Sequence, residues 1–221
     1  MKLTQDELVK ITQMIKGSSR VTLENFQLLN QKTEKGLIVF AGDSMIEYMN
    51  LSVLFEGFKI VNRGVAGATT QFMIENLDRI FGDINPSQIW LSIGSNDLTL
   101  LDSYPEKIAK DVENLFGNIR NKFPNVKLFY LATTPILNED HKLYKKLYIG
   151  GKTNEQQLKI NELMSKVTKD KNITMVNNFE ILLDQSTGFL NEKYTPDGIH
   201  LNQLGYKEYA KQIIETLKAN Q

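Results

Sequence analysis

Two histidines occur in the 221 residues, His141 and His200, and either could move protons near neutral pH. His200 lies three residues after Asp197 in the run D-G-I-H. On a single turn that spacing aims the carboxylate at the imidazole, fixing its tautomer and stabilising its charged form. His141 directly follows Glu139 and Asp140, and adjacent side chains in a loop face one another less dependably. His200 is therefore the better base. A base of this kind activates a hydroxyl, and the candidate is Ser44, which follows the apolar run L-I-V-F-A-G-D. Serine after a strand otherwise caps a helix or makes a turn. Pro196 and Gly198 make D-G-I-H a turn as well, and such a turn would present both side chains to one crevice.

These residues need a scaffold, and the hydropathy pattern predicts one. Leu37 to Gly42 reads as a fully buried parallel strand. A helix over Met45 to Phe55 follows, then a strand at Lys59–Asn62 and an amphipathic helix through Phe81. Further strands are expected at Gln88–Ile93, Val126–Ala132 and Ile173–Asn177. Between them lie a helix opened by Ser103 and Glu106 and another opened by Thr153 and Gln156; a last helix carries Leu204, Tyr209, Ile213 and Leu217. Alternating strands and helices predict a three-layer α/β/α domain with a five-stranded parallel sheet in the flavodoxin-like order 2-1-3-4-5. That order sets Ser44 and the G-S-N-D turn at Gly94–Asp97 side by side at the switch point.

Residues 1–35 form an N-terminal helical extension, capped by Thr4 and Glu7 and stopped at Gly17, with a second helix over Val21–Asn30. It is expected to pack on the domain of residues 36–221; a homodimer contact or a wall of the active site is the alternative.

Composition narrows the chemistry. Lys plus Arg equals Asp plus Glu, 26 each, so no overall field draws nucleic acid to the surface. The chain has no cysteine, which excludes thiol catalysis and Cys-ligated metals and fits a reducing compartment. No run is long enough for a membrane span, and the start lacks the pattern of a signal peptide. The expected location is the cytoplasm.

Four segments, G-D-S at Gly42–Ser44, N-R-G-V-A-G at Asn62–Gly67, G-S-N-D at Gly94–Asp97 and D-G-I-H at Asp197–His200, stand in the order of the blocks of the SGNH, or GDSL-type, hydrolases. The chain resembles that family from Gly42 to His200. It is most similar to the platelet-activating-factor acetylhydrolase-like and small acylhydrolase branch, whose last block continues as Leu201-Asn202 does here. The resemblance implies a Ser44, His200 and Asp197 triad. It also implies an oxyanion hole from the backbone N–H groups of Ser44 and Gly67 and the side-chain amide of Asn96. Gly67 is preferred to Gly64 because the family's donor glycine lies five residues beyond the asparagine matching Asn62. The implied reaction is hydrolysis of a small-molecule ester with an acetyl-like acyl group, without cofactor or metal.

The α/β-hydrolase pattern G-x-S-x-G is missing around Ser44. A nucleotide- or phosphate-binding loop at Gly64–Thr70 is the alternative function, and a metal phosphoesterase built on Asp43, Asp97, Asp197 and His200 is a weaker one. Asp43, Asp97, Thr69 and Thr70 read as capping residues and Arg63 as solvated surface. Residues 138–151 follow the fourth strand, so Tyr144, Leu147 and Tyr148 are candidate substrate walls.

Overall fold

The apolar runs become strands because only a sheet covered on both faces can bury residues on both sides of a chain. In the computed structural model, which describes residues 1–30 and 36–220, the order begins α1 (Gln5–Asn30), β1 (Leu37–Gly42), α2 (Ser44–Glu47), α3 (Leu51–Leu54) and β2 (Ile60–Gly64). It continues with α4 (Thr70–Glu75), α5 (Leu77–Phe81), β3 (Pro86–Ser92), α6 (Asp97–Leu100), α7 (Pro105–Lys122) and β4 (Lys127–Leu131). Then come α8 (Lys146–Ile149), α9 (Asn154–Asp170), β5 (Thr174–Val176), the short ribbon β6 (Leu183–Asp184) and β7 (Phe189–Leu190), and α10 (Gln203–Ala219).

The main sheet has the order β2-β1-β3-β4-β5 and is parallel throughout, as the alternation of elements predicts. Its register aligns Val39, Ile89 and Leu128 in one row and Phe40, Trp90 and Phe129 in the next. Successive residues point to opposite faces, so these rows seed two cores. Val39, Ile89 and Leu128 pack with residues of α1, α4, α5, α7 and α9. The Phe40, Trp90 and Phe129 rings stack at 5.4 and 4.0 Å and meet α2, α3 and α10 on the other side.

Several local expectations need correction. Helix α1 runs unbroken through Gly17, with Ile11, Ser19, Leu23 and Phe26 buried along its length. Gly17 has open space around it, and its cost of about 1 kcal/mol relative to alanine is small beside the burial on either side. The Thr4–Glu7 capping box does form, the Thr4 N–H donating to Glu7 at 2.7 Å and the Glu7 N–H to Thr4 Oγ1 at 3.3 Å. The last residues of the expected extension, 31–35, lie outside the described residues.

The helix expected over Met45–Phe55 is two. Asn50 accepts from the Val53 N–H and starts α3 afresh. The helix expected through Phe81 likewise breaks at Asn76, whose side chain donates to the Phe72 carbonyl and closes α4. Ser103 and Glu106 do not cap α7. Pro105 is its first residue, where a missing N–H costs nothing and φ is already helical, and the Ser103 hydroxyl is buried without a partner among the described residues. Leu204 faces outward at 51 % exposure, while Tyr209, Ile213 and Leu217 enter the core. The Thr153–Gln156 capping box forms as expected.

Candidate active site

Ser44 owes its position to close packing at the switch point. Gly42 has φ +142°, and a Cβ there would sit 1.9 Å from the Ser92 carbonyl oxygen, so a glycine is needed for β1 to pass β3. The Asp43 N–H then donates to that same oxygen at 3.1 Å, and the Asp43 side chain caps α2 by accepting from the Met45 N–H at 2.9 Å. The carbonyls leaving α2 are satisfied from two sides: Asn62 Nδ2 donates to Ile46 at 2.7 Å, and the Tyr206 hydroxyl donates to Met45 at 3.0 Å. Ser44 opens a helical turn that is fastened at both ends.

His200 meets Ser44 from the far end of the sequence. Its Nε2 lies 2.9 Å from Ser44 Oγ, and its Nδ1 lies 2.7 Å from Asp197 Oδ2. With Nδ1–H donated to the carboxylate, Nε2 is left to accept from the serine hydroxyl. The other Asp197 oxygen accepts from the Ile199 and His200 N–H groups at 3.1 and 2.9 Å. Burial alone would raise the Asp197 carboxyl, yet the bonds from His200 and these amides prevail and hold it below its ordinary value. Thr195 Oγ1 shapes the turn by accepting from Gly198, and Leu137 and Lys145 donate to the carbonyls of Gly198 and Asp197. His141 belongs elsewhere: its Nε2 is 3.1 Å from Glu192, not beside Glu139 or Asp140.

Gly67 and Asn96 line the same cleft as Ser44 and His200. Gly67 has φ +76°, and a Cβ there would run into the Ile15 side chain. Asn96 donates one amide hydrogen to the Ala68 carbonyl at 3.1 Å, which fixes the loop carrying Gly67, and among the described residues its second N–H has no acceptor. Among the described residues, neither the Ser44 nor the Gly67 backbone N–H has a protein acceptor.

The loop that could have cradled phosphate is occupied by acids. The Ala66 N–H donates to Glu47, the Thr70 N–H to both oxygens of Asp97 at 3.1 Å, and the Gly64 N–H to Asn62. Two carboxylates therefore already take amides that a phosphate would need. Thr69 caps α4 as expected, accepting from the Phe72 N–H, whereas Thr70 donates its N–H to Asp97 and caps nothing. Asp43 and Asp97 are committed to these backbone bonds, and among the described residues no three His, Asp or Glu side chains gather as a metal ion would need. Burial raises Asp43 to about 6 and Asp97 to about 7. Arg63, expected at the surface, is 2 % exposed; it donates to the carbonyls of Ile80 and Asn62 and lies over the Phe26 ring.

The cleft itself has a volume of about 240 Å³. Leu147 and Tyr148 line it, but Tyr144 does not; its ring packs with Ile136, Ile149 and Ile199 instead. One wall is α1, through Ile11, Met14, Ile15 and Ser18. Two residues escaped the sequence reading. Tyr48 and Tyr148 hold the His200 ring edge-on at 5.2 and 5.3 Å, and only Tyr148 was anticipated. Lys152 is buried in the cleft lining, though nothing in the local pattern distinguishes it from a surface lysine.

The fold has counterparts. The chain shares its fold with a Streptococcus pneumonia protein described as a candidate platelet activating factor, at a TM-score of 0.86 and 26 % identity, covering 97 % of this chain and all of that one. Est24, a carbohydrate acetylesterase from Sinorhizobium meliloti, has the same fold at a TM-score of 0.63 and 16 % identity, covering 85 % of this chain and all of its own. The N-acylneuraminate cytidylyltransferase of Escherichia coli is 24 % identical over 186 residues, which make up 82 % of this chain; the match spans 40 % of that relative's length. The model of the GDSL-like lipase/acylhydrolase family matches residues 46–208, starting just past Ser44 and running beyond His200. With most of its length inside that match, and strands in the order found here, the chain belongs to the GDSL-like lipase/acylhydrolase family.

Proposed function

We propose that this acylhydrolase cleaves short-chain carboxylic esters by two-step acyl transfer through Ser44, His200 and Asp197. Ser44 Oγ attacks the acyl carbonyl as its proton passes to His200 Nε2. The negative charge that develops on the carbonyl oxygen is met by the Ser44 and Gly67 N–H groups and the free N–H of Asn96. The alcohol departs with the proton from His200. Water, deprotonated by the same imidazole, then attacks the acyl-serine and releases the acid. Asp197 stays ionised throughout and balances the imidazolium.

The observation that carries this reading is the unbroken bonded line from Asp197 through His200 to Ser44, opening on a cleft where two amide N–H groups have no acceptor among the described residues. An acetyl-like group would sit against Ile15 and Leu147 in the cleft wall. The name of Est24, an acetylesterase, favours the same acyl class. A series of 4-nitrophenyl esters from acetate to decanoate, assayed with and without chelator, tests it. The expected result is chelator-independent turnover, greatest at two to four carbons and abolished in Ser44→Ala. A maximum at long chains would refute the acyl assignment, and full activity in Ser44→Ala would refute the mechanism.

A further inference from the structure

Lys152 is the cleft residue that ester hydrolysis leaves without a task. It is 5 % exposed and lines the same cavity as Ser44, Gly67, Asn96 and His200. The chain is bent to put it there: Gly150 and Gly151 have φ +61° and +81°, and a Cβ on the first would strike Thr99 and on the second Lys2. An ammonium carries three N–H donors. Here one of them reaches the Tyr148 carbonyl at 3.1 Å, and among the described residues no carboxylate stands within ion-pair distance. The cleft lining contains no Asp or Glu. The nearby acids are otherwise engaged, Asp43 with the Met45 N–H and Asp97 with the Thr70 N–H. Burial lowers the Lys152 ammonium to about 8 while attraction from Asp43 and Asp97 opposes the fall, so most of it is charged at neutral pH. A buried cation with no carboxylate in direct contact costs stability, a cost that the longer-range attraction of Asp43 and Asp97 offsets only in part and that a ligand anion in contact recovers.

We propose that the ester taken by this cleft carries a carboxylate, and that Lys152 is the specificity-determining residue that receives it. The inference rests on the esterase reading of the same cleft but names a substrate class which that reading leaves open. The carboxylate accepts from the free N–H groups of Lys152 while the acyl carbonyl sits at the Ser44, Gly67 and Asn96 donors. No bond to Lys152 is made or broken in the reaction.

Matched esters separate charge from shape. The acetyl esters of 3- and 4-hydroxybenzoate are compared with those of the corresponding hydroxybenzamides, each kcat/KM divided by that ester's uncatalysed hydrolysis rate. At least one carboxylate should exceed its amide by about tenfold or more, the scale of a charge-assisted hydrogen bond, and Lys152→Met should collapse the ratio towards one. Equal rates for both carboxylate–amide pairs in the wild type would overturn the proposal without any variant. A preference that survives in folded Lys152→Met would overturn it too, as would an equal loss on both esters, the mark of a merely structural lysine. Calorimetric titration of wild type, Ser44→Ala and Lys152→Met with the free hydroxybenzoates and hydroxybenzamides reads the site without turnover. Lys152-dependent carboxylate binding with no ester cleaved would defeat the esterase reading and keep the anion site. Cleavage of neutral esters with no carboxylate binding would do the reverse.

Discussion

The His200 imidazole is gripped at both nitrogens and on two edges, by Asp197, Ser44, Tyr48 and Tyr148. Removing one contact should therefore change chemistry more than folding. Asp197→Asn should lower kcat by roughly 10³–10⁴-fold, because an amide can fix the wrong tautomer and cannot balance the imidazolium. Far-UV circular dichroism should be unchanged. Asn96→Ala should lower kcat by about 10²–10³-fold with KM nearly constant, since in the proposed mechanism its second N–H meets the developing oxyanion more than the bound ester; a change confined to KM would reassign Asn96 to ground-state binding. At this scale the sequence was legible where polar residues sit in short motifs, which place Ser44, Asn96 and His200 on one cleft with Asp197 behind the imidazole. It was silent where burial alone changes a residue's meaning. Lys152 and Arg63 have the sequence context of surface cations, and only the packing of distant segments encloses them.

Helix α2 is the element on which Ser44 depends, and β2 holds it in place. A Cβ on Gly64 would come within 2.1 Å of the Glu47 nitrogen. Gly64→Ala should therefore push α2 from the sheet, lowering stability by about 1–3 kcal/mol and, unlike a remote core variant, reducing kcat more than the melting temperature suggests. A second device joins α6 to α4 through Asp97. Its carboxyl titrates at about 7 in the fold against an ordinary value of 3.8. Between those values the folded chain binds a proton that the unfolded chain does not, so this group's contribution to stability declines as pH rises from about 4 to about 7. Asp97→Asn abolishes that slope: relative to wild type, its melting temperature should rise from pH 5 to pH 8, and a constant difference would count against the assignment. Strand positions were readable from apolar runs closed by turns. The breaks at Asn50 and Asn76 were not, because apolar periodicity continues across them while side-chain bonds to the backbone end the helices.

Across the whole molecule, the fold brings segments more than 150 residues apart to the carboxyl end of the sheet, Ser44 after β1 and His200 before α10. The alternation of strands and helices made that order predictable. What α1 does was less so. Its apolar stripe could serve packing, association or the cleft, and the structure uses it for two of these at once, with Leu23 and Phe26 in the core and Ile15 over Gly67. Ile15→Ala should open that wall and shift the acyl-length optimum to longer chains, measured as the ratio of kcat/KM for hexanoate over acetate esters. Among the described residues no helix is long and apolar enough to cross a membrane. The most direct test of the central claim is covalent trapping: treatment with a fluorophosphonate followed by peptide mapping of the adduct. One adduct per chain, located on Ser44 and lost in His200→Ala, is the predicted result. An unlabelled protein that still hydrolyses esters, or a label on another residue, would contradict it.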